Sequence, residues 1–190
     1  GVHNLGVRAE IARPYVTQRP FGKRDVEILD ANSVRIEDAS GEVIASRDDP
    51  RRFFPGGRRT FRWDRLDAAY FSGYELWNYL TFPALLLRKD ITWSQVSDTT
   101  LEASFPPELP THSPVQQFHF DPETALLRQH DYTAGVFGDW AKAANVVLEH
   151  ATWHGIPYPS RRRVTPRRPD GTPRPFPLLV GILIKDWRLV

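Results

Sequence analysis

Apolar and polar positions alternate with a period of two along most of this chain, and only once does the period lengthen to that of a helix. Alternating stretches predict strands over residues 7–12, 25–29, 33–38, 42–47, 91–96, 101–105, 116–121, 126–133, 145–153, 161–165 and 178–189. Ala39-Ser40-Gly41 between two of them is a hairpin turn. The stretch between the first two strands contains Pro14 and Pro20 and reads as a connection. Short loops between consecutive strands impose antiparallel pairing, because a parallel neighbour needs a crossover of roughly a dozen residues. The expected fold is mainly β (α+β): one strongly curved antiparallel sheet or half-barrel, with one principal helix packed on its concave face.

The exception is residues 64–82, DRLDAAYFSGYELWNYLTF. Asp64 stands where an N-cap belongs, Asp67 puts negative charge in the first turn, and Pro83 ends the helix. At about 100° per residue, Leu66, Ala69, Tyr70, Gly73, Tyr74, Leu76, Trp77 and Leu80 share one arc. Arg65, Asp67, Ser72, Glu75 and Asn78 share the other, which is expected to face water. Gly73 and Ala69 lie near the centre of the apolar arc, with Tyr70, Tyr74 and Trp77 flanking them. The pattern predicts a small-residue groove edged by aromatics.

Length narrows the organisation: 190 residues suit a single domain spanning 1–190. No apolar run reaches the roughly 20 residues that cross a bilayer, so no membrane span is expected, and the N-terminus lacks the apolar core of a signal peptide. A cytoplasmic location follows as an expectation. The chain contains no methionine, which predicts that Gly1 is a processed terminus or that the chain is shortened. With no cysteine, disulfides, thiolate nucleophiles and Cys-ligated metals are excluded. The net charge is only +2, yet Arg51, Arg52, Arg58, Arg59 and Arg62 form one basic stretch and Arg161, Arg162, Arg163, Arg167, Arg168 and Arg174 another. Without a recognisable module or interleaved exposed aromatics, these stretches do not make a nucleic-acid site, and no nucleic-acid partner is expected. One or two arginines meeting an anionic ligand group is the simpler reading, with Arg162 as the candidate.

Chemistry is sparser. The six histidines (His3, His112, His119, His130, His150 and His154) show no metal-ligand spacing, so no metal site is expected. Glycine-rich phosphate loops and the Gly-x-Ser-x-Gly elbow are missing, and no cofactor is predicted. Residues 128–132, RQHDY, are denser in functional groups. On a strand, His130 and Tyr132 point one way and Gln129 and Asp131 the other. His130 and Tyr132 facing a cavity are candidate catalytic or ligand-holding groups, and the competing reading is a buried hydrogen-bond network. His112, in a proline-bounded loop, is a candidate at the cavity rim or a turn cap.

The strings WDRLDAAYFSGYELWNYLTFPALLL, FPPELPTHSPVQQFHFD, LLRQHDYTAG and YPSRRRVTPRRPDG resemble, in this order, the motifs of a poorly characterised bacterial family. The resemblance spans about residues 33–187. It implies a single-domain antiparallel fold comparable with the LolA/LppX-type half-barrels, in which helices cover the concave face of a sheet around an apolar cavity. It carries no activity with it. A histidine that the resemblance implies near Asn145 is absent here.

These readings converge on binding of a hydrophobic small molecule, such as a lipid, polyketide-like or isoprenoid-like compound, between the sheet and the aromatic helix. Tyr70, Gly73, Tyr74 and Trp77 would line the site, His112, His130 and Tyr132 would supply polar groups, and Arg162 an anionic subsite. The alternative is a cofactor-independent isomerase, cyclase or lyase using the same cavity. The sequence leaves the oligomeric state open.

Overall fold

A computed structural model describes residues 4–54 and 62–189. His3, Arg58 and Arg59 lie outside the described residues. The fold is mainly β and entirely antiparallel, with one principal helix, as the alternation predicts. The strands form two open sheets rather than one: a five-stranded sheet in the order β1-β2-β3-β4-β5 and a seven-stranded sheet in the order β12-β11-β10-β9-β8-β7-β6. The packing divides into two compact units, Gly1–Leu87 with Pro106–His112, and Arg88–Phe105 with Ser113–Val190.

The first unit contains β1 (Gly6–Glu10), β2 (Tyr15–Phe21), β3 (Asp25–Asp30), β4 (Ser33–Glu37), β5 (Val43–Asp48) and the helix α1 (Arg65–Leu80). Strand β2 is the element that the proline-containing stretch concealed. Its residues 15–18 pair with Asp30 to Glu27, and the register slips between Gln18 and Phe21, where Pro20 sits. A proline is tolerated there because the ladder asks no N–H of it.

Helix α1 begins as its acidic residues demand. Asp64 accepts from the Asp67 N–H at 2.9 Å, Asp67 accepts from the Asp64 N–H at 3.1 Å, and together they form a capping box. Arg47 of β5 clamps both carboxylates, 2.6 Å from each, so the sheet fixes where the helix starts. Burial corrects the expected wet arc. Asp67, Glu75 and Asn78 are all buried, and so is Tyr79. The segment Pro106–His112 explains part of this: Asn78 Nδ2 lies 3.4 Å from the Pro110 carbonyl, and Asn78 Oδ1 accepts from Thr111 Oγ1 at 3.1 Å.

The second unit contains β6 (Thr92–Ser97), β7 (Thr100–Ser104), β8 (Val115–Phe120), β9 (Leu127–Thr133), β10 (Lys142–Trp153), β11 (Ile156–Pro166) and β12 (Val180–Leu183). The last strand is shorter than the apolar run 178–189 predicts. Its neighbour β11 is longer and starts before the proline-interrupted sequence suggested.

Candidate functional site

Of the residues expected to form one cavity, Tyr70, Gly73, Tyr74, Trp77 and His112 belong to the first unit. The aromatic arc of α1 fills that unit's core: Tyr70, Tyr74 and Trp77 are at most 1 % exposed. Trp77 donates its indole N–H to the carbonyls of Glu10 and Arg13, at 2.8 and 3.1 Å, which secures the β1–β2 turn. Tyr70 packs between Phe54, whose ring is tilted at 5.8 Å, and Tyr74, which it meets edge-on at 5.1 Å. The groove at Gly73 is occupied. A Cβ placed there would lie 2.8 Å from Glu27 Oε1 and 2.9 Å from Leu29 Cβ, so glycine is what lets the helix approach β3.

His112 lies at the centre of this packing rather than at a rim. It is fully buried, with its ring 5.1 Å from Tyr74, 5.8 Å from Tyr79 and 6.1 Å from Phe71. Burial, reinforced by the Arg51 guanidinium, lowers its pKa to about 3, so the imidazole stays neutral. Arg51 in turn donates to the carbonyls of Thr111 and His112.

Two further buried carboxyl groups complete the unit: Glu27, which the sequence reading did not single out, and Glu75, which it placed on the wet arc. Burial raises Glu27 to about 8 and Glu75 to about 7. Ser72 Oγ lies 2.8 Å from Glu27 Oε2 and 2.9 Å from the Ala68 carbonyl. One hydroxyl proton cannot serve both acceptors. A protonated Glu27 resolves this by donating to Ser72 Oγ while the serine donates to the helix backbone. Glu75 has the Tyr79 hydroxyl at 3.2 Å.

His130, Tyr132 and Arg162 belong to the second unit, all within 3 % of full burial. His130 stacks on Phe118 at 4.2 Å with an interplanar angle of 13°, approaches Tyr132 at 5.1 Å, and shares a 2.6 Å hydrogen bond with Gln116 Oε1. Those contacts describe a buried network, two of whose members, Gln116 and Tyr132, also border the cleft described below. Asn145, which pairs with His130 across β9–β10, is fully buried, and neither atom of its amide has a hydrogen-bond partner among the described residues.

Alternation sends Gln129 and Asp131 to the opposite face, and there the structure builds a connected polar site. Pairing across β7, β8 and β9 sets Thr100 beside His119, His119 beside Gln129, and Glu102 beside Gln117 beside Asp131. Asp131 Oδ2 is 3.0 Å from His119 Nε2 and 3.4 Å from Arg167 Nη1, and Gln129 donates to Oδ1 at 2.8 Å. The other histidine nitrogen, Nδ1, is 3.0 Å from Thr100 Oγ1. Gln117 donates to Glu102 at 3.1 Å. An open cleft of about 180 Å³ is lined by Glu102, Val115, Gln116, Gln117, Asp131, Tyr132, Thr133 and Arg167.

Comparison with family models, curated proteins and solved structures returns no match. Function must therefore be argued from these residues.

In neutral His119, Nε2–H donates to the Asp131 carboxylate and Nδ1 accepts from the Thr100 hydroxyl. Both ring nitrogens of His119 are thus engaged, one by a carboxylate and one by a hydroxyl. Among the described residues no cluster of three His, Asp or Glu side chains is arranged to hold a metal ion. Sequence reasoning passed over His119 because its partners sit 19 residues before it and 12 after it. The available signal was register: β7, β8 and β9 are consecutive antiparallel strands, and each contributes a polar residue to one face.

Proposed function

We propose that this protein binds a small polar molecule on the seven-stranded sheet, in the cleft bordered by Glu102, Gln117, Asp131, Thr133 and Arg167. The observation that carries this reading is the convergence of a carboxylate pair, an amide, a hydroxyl and a guanidinium on one open hollow. A hollow of about 180 Å³ suits a small hydroxylated or amino-bearing metabolite. The close approach of Glu27 and Leu29 to Gly73 favours this cleft over the groove beside the helix as the ligand site. A panel of small polyols, sugars and amino acids, followed by amide chemical shifts, tests the proposal. Shifts confined to β7–β9 that vanish in Glu102→Gln with Asp131→Asn support it. Saturating ligands that leave those amides unmoved, or native mass spectrometry retaining a lipid, overturn it.

A cofactor-independent acid–base enzyme is the second reading, favoured by the Thr100–His119–Asp131 chain. Such a chain holds one histidine tautomer and fixes the orientation of its ring. If a bound ligand is converted, His119→Gln abolishes turnover while binding persists. Unchanged turnover removes the reading.

A further inference from the structure

The second unit carries a surface that the cleft does not use. Residues 174–179, Arg-Pro-Phe-Pro-Leu-Leu, are exposed without interruption, and Phe176, Leu178 and Leu179 are 80, 58 and 53 % exposed. This loop is held in place rather than loose: Arg163 Nη2 donates to the Pro175 carbonyl at 2.8 Å, and the Leu179 N–H donates to the Val164 carbonyl at 2.9 Å. Beside it, the sheet's edge strand β12 sets Leu183, 61 % exposed, opposite Arg161 and Gly181 opposite Arg163. Leu178 packs over Gly181. Apolar tips and guanidinium groups therefore share one edge.

Charge along the chain is divided in the same way. The last 30 residues contain eight Arg or Lys and two Asp, a net +6, so the preceding 160 residues carry −4 of the total +2. Two acidic side chains offset this edge locally, Glu149 against Arg161 and Asp186 against Arg188. Arg163 and Arg174 have no ion pair among the described residues, and Lys185 is exposed on the same edge.

We propose that this edge, formed by β11, β12 and the 174–179 loop, docks on an anionic lipid bilayer. Basic residues beside a bilayer gain from anionic headgroups, and exposed Phe and Leu gain from entering the acyl boundary. The prolines flanking Phe176 restrict the loop, so less chain entropy is lost when it inserts. A second copy of the chain is the poorer occupant, because it brings the same positive edge. Nucleic acid is poorer too, because Leu178, Leu179 and Leu183 offer no stacking surface for bases. No described helix is long and apolar enough to cross a membrane, and the mode proposed is peripheral.

Flotation of the full chain with phosphatidylcholine vesicles, with and without phosphatidylserine, tests this. Binding is expected only to the phosphatidylserine vesicles, weakening as salt rises. Phe176→Ser with Leu178→Ser is expected to lower the partition by roughly tenfold or more, and Arg174→Gln with Lys185→Gln by a similar factor. Both pairs are exposed, so circular dichroism should show unchanged folding. Absence of binding, equal binding to neutral vesicles, or wild-type partition by the apolar double variant overturns the proposal. So does retention by nucleic acid or by an acidic protein with no vesicle binding.

Discussion

The two units handle buried ionisable groups in opposite ways. Around helix α1, Glu27, Glu75 and His112 are removed from water with few compensating charges, and burial drives each toward its neutral form. On the seven-stranded sheet, Asp131 is equally buried but keeps His119, Gln129 and Arg167 within reach. The first arrangement fills space and leaves Glu75 and Glu27 to titrate near or above neutral pH inside packed surroundings. The second gathers polar partners beside an open cleft, and so it is the better place for recognition. A titratable residue becomes a functional candidate through its partners and access, not through burial alone.

The largest expected effect concerns the pH dependence of the helix-bearing unit. Between pH 4.5 and about 8, folded Glu27 holds a proton that the unfolded chain has released, so stability falls as pH rises through that window. The full span corresponds to about 4–5 kcal/mol. Glu75 adds a decline of the same sign between 4.5 and about 7. His112 opposes them. Its folded pKa is depressed, so its contribution is lost as pH falls from about 6.5 through about 3. Urea melts from pH 4 to 9 should show stability highest near the acid end, and Glu27→Gln should flatten the decline. An unchanged slope in that variant would break the contrast between the units.

Trp77→Ala should cost about 3–5 kcal/mol in the same melts, since it empties a fully buried site and strips the Glu10 and Arg13 carbonyls of their donor. Gly73→Ala should cost about 1–3 kcal/mol, because the new methyl meets Leu29 Cβ as well as a carboxyl oxygen. A neutral result there would mean the helix can retreat from β3 and reopen the groove. The smallest effect is expected at His119→Gln. Its side chain is 20 % exposed, and loss of its bond to Asp131 should lower stability by about 1 kcal/mol or less. Carboxylate resonances of Asp131, followed by NMR, should nevertheless shift in that variant.

Much of the fold was legible because it depends on periodicity. The hairpin at 33–48, the consecutive strands from 92 to 133, and α1 with its Asp64 and Asp67 start all follow from local pattern and capping. Strand β2 was hidden because Pro20 reads as a breaker unless the register slip that accommodates it is known. The wet arc of α1 failed for a related reason. Asp67, Glu75 and Asn78 are polar in any sequence scale, but Arg47 and the remote Pro106–His112 segment supply partners that let two of them go under.

The candidate site shows the same limit more sharply. Residues 128–132 are dense in functional groups, and strand alternation separates His130 and Tyr132 from Gln129 and Asp131. Nothing in that pattern says which side is open. Pairing with β8 decides it, stacking His130 on Phe118 on the packed face and bringing His119 to Asp131 on the other.

The amino-acid sequence by itself determined the β-rich character, the single aromatic helix, its first turn and the alternation along β9, because each arises from neighbours within one or two turns or pleats. Tertiary structure alone decided that the strands divide into two sheets, that Gly73 is filled by Glu27 and Leu29, and that Thr100, His119, Asp131 and Arg167 meet. The reason is physical: burial, partner distance and electrostatic environment are properties of side chains brought together across the fold, and no local period encodes them.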